Sequence, residues 1–538
     1  MSFHLVIVFP CRLCISIIFS ILVMMSLWGA VSAQVLQKVM ELCLIDLQNH
    51  KDGTLDVGLI QDLAKMGSHG LHPSNVWRDF MQALPPPKLP ALHELKTPMK
   101  HNVLGLFWKP TYMLLPHELF AAIYHRFPAM WSASIFTVEK CRSFWNGVKG
   151  GAHFLSHPVR FRDSFSTKCV PLRLHGDGTP AVGIGKSWGK MVNIWSMSSM
   201  LLLGPTILRN FLIWAIHQCL QSVVPGHHTA NAFWKRLEWS MNACWEGKWP
   251  TKDWDGNPIH SAKAGTDLCG GIFFCIWALI GDLDYLTKDL ELPNSTSNSP
   301  CGLCPCNSTD LAWWRFQADA AWLNKIYTVL TWMAAGWNTC GVFKIVGVTI
   351  LSVYPDWMHC KHLGIDKVLQ GSVMWILIHW VLGGTPEKNL EVIWRDVERI
   401  YKEDNVANRY GQIKMTMFTT KSQPKMKGKA GEIKDFGPVL HKIWKAYMNP
   451  KLKLHRQIEF ILRLMNHMDE ILDYHPTAFT LPKEAADDLI ATGWACLTEW
   501  YQVSMWCKDE GHALMGLTAK AHWLMHCCLL SRCLCGNL

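Results

Sequence analysis

Two runs of strand-forming residues, far apart in the chain, each end on an aspartate, and this pairing limits the available folds more than any other feature. Val170, Leu172 and Leu174 alternate with other residues, as in a strand, and run straight into Gly176-Asp177-Gly178. The run 342–353 is rich in Val and Ile and leads into Tyr354-Pro355-Asp356. Carboxylates at the C-terminal ends of adjacent strands are hard oxygen ligands on rigid elements, the arrangement a Mg²⁺ site needs. Each aspartate also has a purely structural explanation. Asp177-Gly178 makes a good hairpin turn, and Asp356 after Pro355 a good helix N-cap.

The intervening periods set the organisation. Segments 191–197 and 207–216 are further β-compatible runs, and 229–245 places Phe233, Leu237, Met241 and Trp245 on one helical face. Beyond Asp356 the chain turns helical. Thr385-Pro386 starts a helix carrying Leu390, Ile393, Trp394, Val397, Ile400 and Tyr401, and Ile458, Ile461, Leu462, Met465 and Ile471 mark another. The expectation is an α/β core over 165–380 with a Cys-containing insertion near 294–310. A mixed or helical region, 35–164, precedes it and a mainly helical one, 381–538, follows. Pro85-Pro86-Pro87 with Pro90 marks a linker.

Composition says which chemistry such a core can serve. With 49% hydrophobic and 17% charged residues the chain packs a core, which excludes a disordered protein. A net charge of +10 permits a polyanionic partner. The 20 cysteines are scattered, many in apolar runs, and fit buried thiols of a reducing compartment plus a local metal site better than a disulfide framework. The N-terminus points elsewhere. Residues 1–34 form an apolar leader ending in Val31-Ser32-Ala33, which reads either as a secretory signal or anchor or as a mispredicted start.

Tyr354-Pro-Asp-Trp-Met-His359, with Cys360-Lys-His-Leu-Gly364 and Gly371-Ser372-Val373 downstream, resembles the Asp-x-Met-His element of CACTA-type (En/Spm-like) DDE transposases. Leu172-Arg-Leu-His-Gly-Asp177-Gly178 is similar to that family's first catalytic strand, and 188–203 to the family's second strand and adjoining loop. Trp277-Ala-Leu-Ile-Gly-Asp282 and Cys301-Gly-Leu-Cys304 resemble elements the family places between its first two catalytic aspartates. Lys520-x-His522-x3-His526 is similar to a later element, after which relatives usually continue, so the expectation is a truncated or degenerate member.

The resemblance implies a ribonuclease-H-like mixed sheet with a helical insertion. It implies two-metal phosphodiester cleavage and strand transfer on double-stranded DNA (the element's terminal repeats) in the nucleus, with Mg²⁺ or Mn²⁺ as cofactor. Asp177 and Asp356 become the first two metal ligands and His359 an auxiliary group, unless His359 is simply a core histidine. Glu432 is the expected third acid, with Glu499 in reserve. Cys301 and Cys304, with Cys306 as a third thiol, make half or more of a zinc site. Lys421, Lys425, Lys427 and Lys429 can neutralise phosphates or merely keep a loop solvated. A homo-oligomer is compatible with this reading. Two alternatives stay open: a decayed DNA-binding relic without catalysis, and a secreted or membrane-anchored Cys-rich glycoprotein with sequons at Asn294 and Asn307. A membrane is a partner only if the leader is real.

Overall fold

The computed structural model describes residues 90–180, 191–202, 209–418, 423–476 and 480–531, with parts of 34–79. The apolar leader, the proline linker at 85–87 and Lys421 lie outside the described residues. Residues 1–91 and 204–210 make one small unit, in which the helix Gly58–Ala64 buries Leu63 and Ala64. Gln37 Nε2 donates to the Ala64 carbonyl at 2.8 Å there.

The second unit, 92–203 with 211–538, is built on a seven-stranded mixed sheet. Its strands are β1 (His93–His101), β2 (Gly105–Met113), β3 (Cys169–Pro180), β4 (Met191–Ser199), β5 (Phe211–His217), β8 (Phe273–Gly281) and β9 (Val353–Pro355). The short strands β6 (Val223–Val224) and β7 (His227–His228) pair only with each other. The order is β1-β2-β5-β4-β3-β8-β9. From β1 to β3 every neighbour is antiparallel, whereas β3, β8 and β9 run parallel. The sheet thus recruits β1 and β2, well ahead of the expected boundary at 165.

Patterning explains the placement. β8, Phe-Phe-Cys-Ile-Trp-Ala-Leu-Ile-Gly, is buried at every position, as a strand between parallel neighbours must be. Trp195 of β4 and Trp214 of β5 face each other across the ladder, and Phe233 of the helix Thr229–Glu246 stacks on Trp214 with centroids 4.8 Å apart. Trp145, on the helix Val138–Val148, packs edge-on against Trp277 of β8 at 5.1 Å. Rings this large supply much of the core's buried apolar area.

The Val/Ile-rich run 342–353 departs from its strand propensity. Half of it folds into 3₁₀ turns at Gly341–Lys344 and Ile350–Ser352, and only Val353–Pro355 pairs. Gly347, at φ +81°, packs against the His157 ring where a side chain would collide, so the segment turns instead of extending.

From 386 onward the chain is helical, in Pro386–Glu403, Ala430–Tyr447, Lys453–Tyr474, Lys483–Asp509 and Ala519–Leu530. The helical stretch joins the sheet through a buried ion-pair hub. Lys361 Nζ donates to Asp366 Oδ2 at 2.9 Å and to Asp469 Oδ2 at 2.6 Å, while the His362 ring and the Trp357 indole bond the other Asp469 oxygen.

Candidate functional site

Register alone brings three carboxylates into a row. Gly176 of β3 pairs with Gly281 of β8, which pairs with Pro355 of β9, and the next residue on each strand is an aspartate: Asp177, Asp282, Asp356. Parallel neighbours lie roughly 4.8 Å apart, so side chains at matched strand ends converge. Asp177, Asp282 and His359 each offer a ligand atom, and these atoms lie within 4.8 Å of one another.

Asp177 and Asp356 therefore do not sit on adjacent strands, as the sequence suggested; β8 lies between them and Asp282 fills the gap. Asp356 acts one step back. Its Oδ1 accepts the His359 backbone N–H at 3.2 Å, capping the turn Trp357–Cys360, and its Oδ2 accepts from His359 Nδ1 at 3.0 Å. The N-cap reading of Asp356 is realised, and its second oxygen is taken by the His359 ring in place of a position in the ligand group. With Nδ1 committed, Nε2 is the nitrogen left for a ligand. Asp177 does not form the turn its Gly178 neighbour suggested, because β3 runs on to Pro180.

Two glycines make room for this row. A β-carbon at Gly176 or at Gly281 would overlap the Tyr285 ring, which lies against both strand ends. Asp282 Oδ1 accepts the Tyr285 N–H at 2.8 Å and so anchors that ring's helix, Leu283–Lys288.

Burial pushes the His359 pKa down, but the hydrogen bond to Asp356 and the charges of Asp356, Asp282 and Asp177 outweigh it and leave it raised. For Asp356, burial is outweighed by His359 and the pKa is lowered. Asp177 and Asp282 also line a small pocket with Asn193, Lys288 and Asp289. Burial pushes Asp289 up to about 7 against the opposing hydrogen bond from Gln221 Nε2 at 2.6 Å.

The second cluster joins the insertion to the last helix. Cys301, Cys304, His522 and His526 are all buried, with one ligand atom each within 4.8 Å of the others. His522 Nε2 stands 3.2 Å from Cys304 Sγ and 3.1 Å from His526 Nε2. A tetrahedral zinc with ordinary bond lengths would hold such donors about 3.3–3.7 Å apart, slightly farther than these two contacts, and the four are of the type and number that ion takes. His522 Nδ1 donates to the Trp313 carbonyl at 3.0 Å, which fixes the tautomer that turns Nε2 inward. Cys306 is buried beside these thiols but outside the foursome, which the two histidines complete.

Other expected residues lie elsewhere. Glu432 does not join the aspartate row. Its carboxylate accepts the Lys429 N–H at 2.8 Å, closing a capping box at the start of Ala430–Tyr447. Glu499 lies within the helix Lys483–Asp509 and is not in the row either. Lys425, Lys427 and Lys429 are exposed, and Lys427 Nζ is spent on the Thr416 carbonyl at 2.9 Å. His362, Asp366 and Asp469 also converge, but Lys361 occupies their centre.

Asp282 was the residue to find. Its signal is the repeated Gly-Asp that ends both 176–177 and 281–282, each after an apolar strand. The 15 cysteines among the described residues are all free thiols. No helix among the described residues is long and apolar enough to cross a membrane. The chain matches no protein-family model and no curated protein sequence.

Proposed function

We propose that this protein is a metal-dependent phosphodiester-cleaving enzyme of the CACTA-type transposase kind, acting on double-stranded DNA in the nucleus. The observation that carries the reading is the row Asp177-Asp282-Asp356, which follows matched positions of three consecutive parallel strands, with His359 closing it. The strand order β5-β4-β3-β8-β9, an antiparallel meander continued by two parallel strands, supports a ribonuclease-H-like core.

Asp177, Asp282 and His359 are the ligand set for Mg²⁺ or Mn²⁺, and the imidazole favours the softer Mn²⁺ of the two. Divalent cations bound there supply charge stabilisation for the attacking and leaving oxygens of a phosphodiester. Asp356 holds the His359 ring in its ligating orientation, and Tyr285 wedges the two strand ends at their spacing. The insertion is fixed to the final helix by zinc at Cys301, Cys304, His522 and His526. Lys520, two residues before His522, donates from Nζ to the His359 carbonyl at 2.9 Å and ties the helix to the aspartate row.

The test is cleavage of terminal-repeat duplex DNA with Mn²⁺. The parent chain cuts, and Asp177→Asn and Asp282→Asn lose at least about a hundredfold in rate, as removal of a metal ligand entails. Equal cutting by the parent and both variants refutes the assignment. DNA binding by the parent with no cutting under any divalent cation identifies a relic that has kept the fold alone.

A further inference from the structure

The hairpin β1–β2 stands out from the rest of the sheet. Two nine-residue strands pair along their whole length, from His93↔Met113 to His101↔Gly105, giving a ribbon roughly 30 Å long. Its base is rooted. β2 meets β5 at Met113↔Trp214, the Trp214 indole donates to Thr111 Oγ1 at 3.0 Å, and Leu114 N donates to the Ile213 carbonyl at 2.9 Å. Beyond that point the outer edge of β2 has no strand partner among the described residues.

Alternation along the ribbon sorts its side chains. Leu95, Thr97 and Met99 are buried. The opposite face carries Lys96, Lys100, Trp108 and Tyr112 around a buried Pro98, with Glu94 the single acid at the base. Trp108 is 48% and Tyr112 53% exposed, and Lys96 Nζ lies 6.0 Å from the Trp108 ring centre. Lys109, paired with Thr97, projects from the other face, where it is exposed beside Pro110, and the tip shows Val103, 85% exposed.

We infer that this ribbon is a DNA-docking element that enters the major groove of a duplex. A major groove about 12 Å wide admits a two-stranded ribbon, and lysines flanking exposed aromatic rings supply phosphate neutralisation together with contact to base edges and methyl groups. A second copy of the chain is the poorer occupant. Lys109 repels a like edge and Pro110 has no N–H to donate, which is how edge strands are kept from pairing. The inference shares with the proposed function only the duplex substrate; it concerns grip, not cutting.

The test measures fluorescence anisotropy of a labelled duplex with the full chain across a salt series. Replacing Lys96 and Lys100 together by Gln lowers the slope of log affinity against log salt by about 1.8. Between 50 and 200 mM salt the parent then loses about 12-fold more affinity than the variant. The matching double Lys→Arg protein keeps the parent slope, and Trp108→Ala weakens binding without changing it. An unchanged slope in the Gln variant overturns the inference, as does failure of the parent to bind duplex at 50 mM salt. So does a Gln variant that alters only self-association in ultracentrifugation. Cutting by a Gln variant of unchanged slope removes the ribbon alone; a lowered slope in a chain that never cuts removes only the cleavage.

Discussion

Removing zinc from the Cys301-Cys304-His522-His526 cluster is expected to release the last helix from the insertion. Cys304 and His522 are 218 residues apart in sequence and meet at 3.2 Å. A bond across them closes a loop of that size in the unfolded chain, and the loop-entropy relation assigns such a clip about 5 kcal/mol at 25 °C. The figure is an upper bound, because the Trp523 indole already donates to the Pro300 carbonyl at 2.9 Å and Trp322 packs on both histidines. Purified chain should contain one zinc by elemental analysis, and a chelator should lower the melting temperature reversibly. Cys304→Ser and His526→Ala should abolish the stoichiometric metal, whereas Cys306→Ser should keep it. A metal-free chain that melts unchanged with or without added zinc refutes the reasoning, as does loss of zinc in Cys306→Ser with retention in His526→Ala.

Other consequences follow from the same geometry. His359 carries a pKa raised above the ordinary 6.5, so without metal its pairing with Asp356 stabilises the fold below that pH and is lost as pH rises through the raised value. Mn²⁺ needs the neutral ring, so its affinity should rise with pH over the same interval. Asp356→Asn should move that midpoint down and weaken Mn²⁺ by about 10–100-fold in calorimetry; an unmoved midpoint would show that Asp356 does not hold the ring. Lys361→Met leaves Asp366 and Asp469 buried without their cation and should cost about 3–5 kcal/mol in denaturant unfolding, with a loss under 1 kcal/mol contradicting the hub. Gly176→Ala should destabilise the chain by driving a methyl into the Tyr285 ring, and should cost less in a Tyr285→Ala background. An equal cost in both backgrounds would mean that the ring is not what the glycine accommodates.

Much of the fold was legible in the sequence, because burial period is a local property. The strand entering Asp177, the helix over 229–245, the Thr385-Pro386 start and the later amphipathic helices all follow from spacing, and all form. Alternation and propensity failed at 342–353, where packing around Gly347 overrode a preference for extension. They were silent about β1 and β2, whose membership in the sheet depends on a long-range pairing with β5.

The sequence by itself determined which residues could serve chemistry. Aspartates stand after apolar strands, Cys-x2-Cys lies in a polar insertion and His-x3-His on one face of a helix, because these depend only on residue type and short-range spacing. Tertiary structure decided which of them meet. Parallel register set Asp282 between Asp177 and Asp356 and turned Asp356 into the support of His359. The packing of Ala519–Leu530 gave two histidines to the cysteines in place of Cys306, and a local capping box withdrew Glu432. Side chains hundreds of residues apart converge only when strand order and helix packing close the chain between them, and no local period encodes that closure.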